Sequence, residues 1–183
     1  MKQVYLLTGR PGTGKTSLIK QAVAAMGGRA GGFYTEEIRS GGTRQGFRLV
    51  TLTGEYAILA HVSIRSPYRV SKYGVDIESL DRVGVTALNQ AAAAGQLVII
   101  DEIGKMELLS ASFKETVLHI INDGRRVLGT IMSSSDSWTD TIKHHSQVRL
   151  IEVTRANHQA VLTELASWLS ESAARDGARK LAQ

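Results

Sequence analysis

Residues Gly9 to Thr16 read G-R-P-G-T-G-K-T, which sets glycines, a lysine and a threonine at the spacing that wraps a polyphosphate. A triphosphate needs many hydrogen-bond donors and little steric bulk around it. Gly9, Gly12 and Gly14 let the backbone curl about the anion, the exposed N–H groups and a helix N-terminus face it, and Lys15 reaches the β and γ oxygens. Thr16 offers its hydroxyl to Mg2+. With Arg10, Pro11, Thr13 and Ser17 they form a continuous candidate nucleotide-binding stretch.

A second group lies in L-V-I-I-D-E-I-G-K-M-E, from Leu97. Its apolar run delivers Asp101 to the C-terminal end of a buried strand, where ligands of open parallel sheets sit. Asp101 there holds Mg2+ through the metal's water shell. Glu102 is the candidate to polarise an attacking water, because a carboxylate beside the γ-phosphate separates a hydrolase from a passive binder.

These residues need strands and helices to position them. Q-V-Y-L-L, from Gln3, is a short buried strand ending at the glycine-rich turn, and Leu18, Ile19, Ala22, Val23 and Met26 recur at helical spacing until Gly27-Gly28. From about residue 30 to 62 the period shortens and glycines punctuate β-rich runs, which predicts an antiparallel hairpin insertion. A helix follows, from roughly Asp76 to Ala94, and then the Asp101 strand. Helix, strand, strand and helix complete the chain, with the last residues, about 175 to 183, expected to fray. Alternating strands and helices predict one three-layer α/β domain over residues 1–183, with a mostly parallel sheet.

Composition narrows the function classes. The chain has no Cys, which excludes disulfides and thiolate chemistry. Its opening residues read as a first strand and not as a signal peptide, and no run reaches membrane-spanning length, so a cytoplasmic protein without a membrane partner is expected. The net charge of +5 favours anionic ligands. It leaves nucleic acid possible, but no basic run with interleaved aromatics supports that partner, and no obligate protein partner is evident.

In order along the chain, G-R-P-G-T-G-K-T-S-L, G-G-F-Y-T-E-E-I-R with the later G-F-R-L, R-V-S-K-Y-G-V-D-I-E, V-I-I-D-E-I-G-K-M-E-L-L-S with Phe113, G-T-I from Gly129, and I-E-V-T followed by Asn157 form a pattern covering nearly the whole chain. In this it resembles the small P-loop nucleoside-triphosphatase family of archaea, bacteria and vertebrates, which includes the cancer-related nucleoside-triphosphatases. The resemblance implies a RecA-like sheet and Mg2+-dependent hydrolysis of ATP, GTP and other nucleoside triphosphates, slow and with weak base preference. It also implies nucleotide binding by the phosphate loop and by Leu97 to Gly104, and it adds Asn157 to the nucleotide-binding candidates. Two positions depart from the family pattern: Ser71 stands where Gly is frequent, and His158 where Arg usually follows the Asn.

Weaker signals remain. Arg65, Arg69 and Lys72 sit in an expected loop, and Arg69 is the candidate to neutralise charge on the transferring phosphoryl group, against the alternative of a solvated basic turn. Glu36, Glu37 and Glu107 read as solvated carboxylates ahead of site residues. Ser133 is the hydroxyl best placed to sense a γ-phosphate, with a polar loop as the plainer reading. His144-His145 lack the partners of a metal site. The leading expectation is therefore an Mg2+-dependent triphosphatase in which Lys15, Glu102 and Arg69 act on the phosphoryl group. Two alternatives use the same parts: a kinase that passes the γ-phosphate to a nucleotide, polynucleotide or small-molecule hydroxyl, and a nucleotide-controlled binding module.

Overall fold

The computed structural model describes residues 2–180, with side chains through residue 171. Its strands are β1 (Val4–Thr8), β2 (Ala30–Ser40), β3 (Thr43–Thr51), β4 (Tyr56–His61), β5 (Arg69–Val70), β6 (Tyr73–Val75), β7 (Leu97–Ile103), β8 (Val127–Ile131) and β9 (Val148–Glu152). Among the described residues they form one sheet in the order β5-β6-β4-β3-β2-β7-β8-β1-β9. From β2 to β9 across the sheet every pairing is parallel, and from β2 to β5 every pairing is antiparallel. The phosphate-loop strand β1 and the Asp101 strand β7 are separated by β8, so three strand ends open on one edge of the sheet.

The helices are α1 (Lys15–Ala24), α2 (Ile77–Ser79), α3 (Thr86–Ala93), α4 (Ala111–Asn122), α5 (Ser137–Lys143) and α6 (His158–Lys180). Alternation along the central strands splits the core into two layers. Leu6, Val98, Ile100 and Val127 face the cluster that holds Phe33, Leu88, Phe113 and Val117, whereas Leu7, Ile99 and Leu128 face Leu18, Ile19, Leu165 and Trp168. Neighbouring residues thus point to opposite faces, as a strand buried on both sides requires. Trp168 stacks on Tyr5 with ring centroids 4.3 Å apart, and the Arg126 guanidinium lies 4.8 Å from its ring.

The insertion is built differently from a separate hairpin. β2 pairs in parallel with β7 through Tyr34↔Asp101 and then runs on to pair with β3, so one strand serves both halves of the sheet. The segment from Arg69 to Val75, expected as a loop, contains the short strands β5 and β6. The helix expected from Asp76 to Ala94 is α2 and α3 joined through a π-helical stretch, Leu80–Val85. Helix α5, with Trp138 packed against the core, stands where a loop was expected. The backbone is helical to Lys180, and the remainder of the expected frayed end lies outside the described residues.

Candidate active site

The phosphate loop joins β1 to α1. Gly9, Gly12 and Gly14 all have positive φ, at 134°, 78° and 89°, a region that side chains other than glycine rarely adopt. Gly9 is also pressed against β9's exit, since a Cβ there would meet the Val153 carbonyl oxygen at 2.5 Å. Thr13 donates its hydroxyl to the Arg10 carbonyl at 3.0 Å and so ties the bend across itself. Lys15 Nζ donates to the Gly9 and Arg10 carbonyls at 2.9 and 3.0 Å, which holds the ammonium across the mouth of the loop.

Helix α1 begins at Gly14 with no side-chain cap and no acidic residue in its first turn. By contrast, Asp76, Ser110 and Asp136 cap α2, α4 and α5 through their side chains. The first amides of α1 are left to an external acceptor, and its positive dipole end is not offset by a carboxylate. Arg10, Pro11, Gly12 and Ser17 are exposed around this turn, whereas Thr13, Gly14, Lys15 and Thr16 are half-buried.

Asp101 and Glu102 sit in β7 where the register with β8 shifts between Ile100 and Ile103. An extra residue at that point re-aims side chains that a regular strand would send to opposite faces. Asp101 is 3% exposed, and its Oδ1 accepts the Thr130 hydroxyl from β8. Its Oδ2 is buried with no hydrogen-bond partner, as is the Thr8 hydroxyl at the end of β1. Burial pushes the Asp101 carboxyl up, while Thr130, Thr16 and Lys15 pull it back toward the charged form. Thr16 thus faces Asp101 closely without closing a hydrogen bond on Oδ2. A buried, unpaired carboxylate oxygen beside a threonine hydroxyl fits a hard divalent cation, which these two residues would hold.

Glu102 is likewise pushed up, by burial first and then by Asp101, with Lys15 opposing both. The same ammonium therefore acts on both carboxyls, and the fold brings Lys15, Thr16, Asp101 and Glu102 into one group although two of them come from β7 and two from α1.

The profile of a family described as NTPase matches residues 4–166. The nucleoside-triphosphatase THEP1 of Thermotoga sp. strain RQ2 is 47% identical over 164 residues, spanning 90% of this chain and 94% of its own length. The chain belongs to the nucleoside-triphosphatase family. The bovine cancer-related nucleoside-triphosphatase homolog is 35% identical across 94% of this chain and 99% of its own. The crystal structure of THEP1 from Aquifex aeolicus superposes with a TM-score of 0.84 at 35% identity, covering 91% of this chain and 98% of that one. The α/β sheet that the resemblance implied is thus the fold of a nucleoside-triphosphatase.

In this nucleoside-triphosphatase the remaining candidates are spread more widely. Asn157 is used inside its own loop: Oδ1 accepts the Thr154 amide and Nδ2 donates to the Glu152 carbonyl, each at 2.8 Å. That turn carries Val153 against Gly9. The next residue, His158, lies on the phosphate loop itself, for a Cβ at Gly14 would come within 2.8 Å of its Nε2. Arg69 is on β5, exposed, with its guanidinium donating to the Lys72 carbonyl at 2.9 Å and not to any group of the site.

A cavity of about 270 Å3 adjoins Glu102 on the side of the insertion, walled by Phe47, Leu59, Val70, Met106 and Met132, among others. Arg69's neighbour Val70 therefore reaches the site where Arg69 does not. Ser134 lines this cavity, whereas Ser133 is exposed and is not among its walls. Glu36 and Glu37 are solvated, bonded to Lys20 and Arg48 and to Arg39 and Arg44 respectively. His144 and His145 bond to the Asp140 carbonyl and to Asn122, and the described residues contain no metal-binding cluster of three His, Cys, Asp or Glu. Glu107 breaks the solvated reading: it is 4% exposed, lines the cavity and accepts the Gly104 amide at 3.1 Å. Its spacing from Glu102 was visible in the sequence, but its burial was not.

Proposed function

We propose that this chain hydrolyses nucleoside triphosphates to the diphosphate and phosphate, with the phosphate loop as binder and Glu102 as base. The relatives carry that activity in their names, and they give no support to transfer onto a hydroxyl acceptor. The observation that carries the reading is the junction of Lys15, Asp101 and Glu102 at the ends of β1 and β7, with the uncapped start of α1 facing the same place.

The loop N–H groups between Gly9 and Ser17, Pro11 excepted, and Lys15 take the β and γ oxygens, which both binds the nucleotide and offsets negative charge in the transition state. Thr16 and Asp101 would hold Mg2+, which neutralises phosphate charge when bound. Glu102 accepts a proton from a water whose oxygen forms the new bond to the γ phosphorus, while the bond from that phosphorus to the bridging oxygen breaks and that oxygen leaves with its electron pair on the diphosphate. A carboxyl pushed up by burial is a stronger base than one in water, which suits this step. Arg69 would join only by leaving the Lys72 carbonyl and crossing the cavity that Val70 shares with Glu102. Asn157 would act by holding the turn that backs Gly9. Among the described residues no helix is long and apolar enough to cross a membrane.

Phosphate release from ATP and GTP with Mg2+ separates the roles. Glu102→Gln should keep nucleotide binding and lose most turnover, on the order of 10²-fold or more. Lys15→Ala should weaken binding by about tenfold to a hundredfold, since a hydrogen bond to a charged group contributes about 1.5–3 kcal/mol. Undiminished turnover in Glu102→Gln would remove Glu102 from the mechanism.

A further inference from the structure

Gly104 lies between two carboxyls. A Cβ built on it would sit 3.0 Å from Glu102 Oε1 and 3.1 Å from Glu107 Oε2, so the two side chains close over the same backbone point. Their oxygens are at most about 6 Å apart, inside the range where one carboxyl governs the charge of another. Glu107 arrives there because the chain turns after β7: the Leu108 amide donates to the Gly104 carbonyl at 3.1 Å and a single 3-10 turn, Glu107–Leu109, tucks the side chain under the strand. The turn then enters α4 through Ser110, whose hydroxyl caps Phe113 and also bonds Asp81. Burying a glutamate costs free energy unless something is gained by its placement, and no cation pairs with this one among its hydrogen bonds and ion pairs in the described residues.

We propose that Glu107 is a positioning residue for Glu102: its carboxyl, anchored on the Gly104 amide, holds the Glu102 carboxylate where it takes the proton of the attacking water. The inference rests on Glu102 being the base. Burial pushes the Glu107 carboxyl up to about 8, with Glu102 and Asp101 adding to the effect, so near neutral pH it stands beside Glu102 chiefly in its neutral form and not as a second negative charge. A side chain at Gly104 would crowd both carboxyls, which would have to give by a few tenths of an ångström. Both carboxyls line the same cavity, whose apolar walls include Met106, Met132 and Phe47.

The test compares Glu107→Gln, Glu107→Leu and each of these combined with Glu102→Gln, measuring kcat, KM and nucleotide affinity with ATP and Mg2+. Glutamine keeps a neutral donor of the same shape, and leucine fills the buried site without one. Glu107→Leu should lower kcat about thirtyfold or more with KM and affinity within about threefold, and Glu107→Gln should recover most of that loss. In the Glu102→Gln background neither change should lower kcat further, because Glu107 acts through Glu102. A Glu107→Leu enzyme with near-wild-type kcat, a Glu107→Gln enzyme as slow as the leucine variant, or a full additional loss in the double variant would each overturn the role. If leucine prevents folding, Glu107→Met, which fills the buried site with an unbranched apolar chain, takes its place against the same outcomes. Full turnover in single Glu102→Gln is a separate outcome, which removes the base and not merely its support.

Discussion

The Glu107 carboxyl shows how far a residue's neighbours can move its chemistry. Its ordinary value of 4.5 is pushed up to about 8, chiefly by burial, with Glu102 and Asp101 on β7 adding to the shift and two backbone amides opposing it. Lys105 is the other charged residue lining the cavity. The folded chain therefore retains a proton that the unfolded chain releases, so the contribution is full below about pH 4.5 and is lost as the pH rises toward 8. Wild type should lose melting temperature relative to Glu107→Gln between about pH 5 and 8, and the gap should level off beyond that. A constant gap across the range would mean that Glu107 is charged throughout. The phosphate loop, Asp101 and Glu102 were legible from sequence because each motif is local and the residue types carry their own chemistry. Glu107 and His158 were not, because their places depend on contacts that no spacing encodes: a turn folded beneath β7 in one case, and a helix start 144 positions from Gly14 in the other.

Elements were legible in proportion to their length and period. β7 stood out as an unbroken apolar run ahead of two acids, and α4 as a helical stretch closed by Gly124. β5 and β6, of two and three residues, are too short to show a period, and they exist because β4 offers them a partner edge. Helix α5 was hidden by the serines before it, and its signal is Asp136. That carboxylate accepts the Trp138 and Thr139 amides at 3.0 and 3.2 Å and starts a helix whose Trp138 reaches the core. Asp136→Ala should cost about 1 kcal/mol, and for a domain of this size should lower the thermal midpoint by about 2–4 °C. An unchanged midpoint would show that packing of Trp138 and Ile142 alone suffices to form α5.

Among the described residues, the sheet is a parallel half that carries the phosphate loop, Asp101 and Glu102 and an antiparallel half that supplies Phe47, Leu59 and Val70 to the cavity beside Glu102. The division was legible as a change of period near residue 30, but the continuity was not, since β2 looks like a hairpin strand until its pairing with β7 is seen. That continuity matters for function: Tyr34 lies beside Asp101 in register, and Thr35, the next residue, lines the cavity.

The most direct test of hydrolysis is to run the reaction with ATP and Mg2+ in 18O-enriched water and weigh the products. If water attacks the γ phosphorus as Glu102's position implies, the released phosphate carries one solvent oxygen and the diphosphate none. Label in the diphosphate, or phosphate released without any, would contradict it.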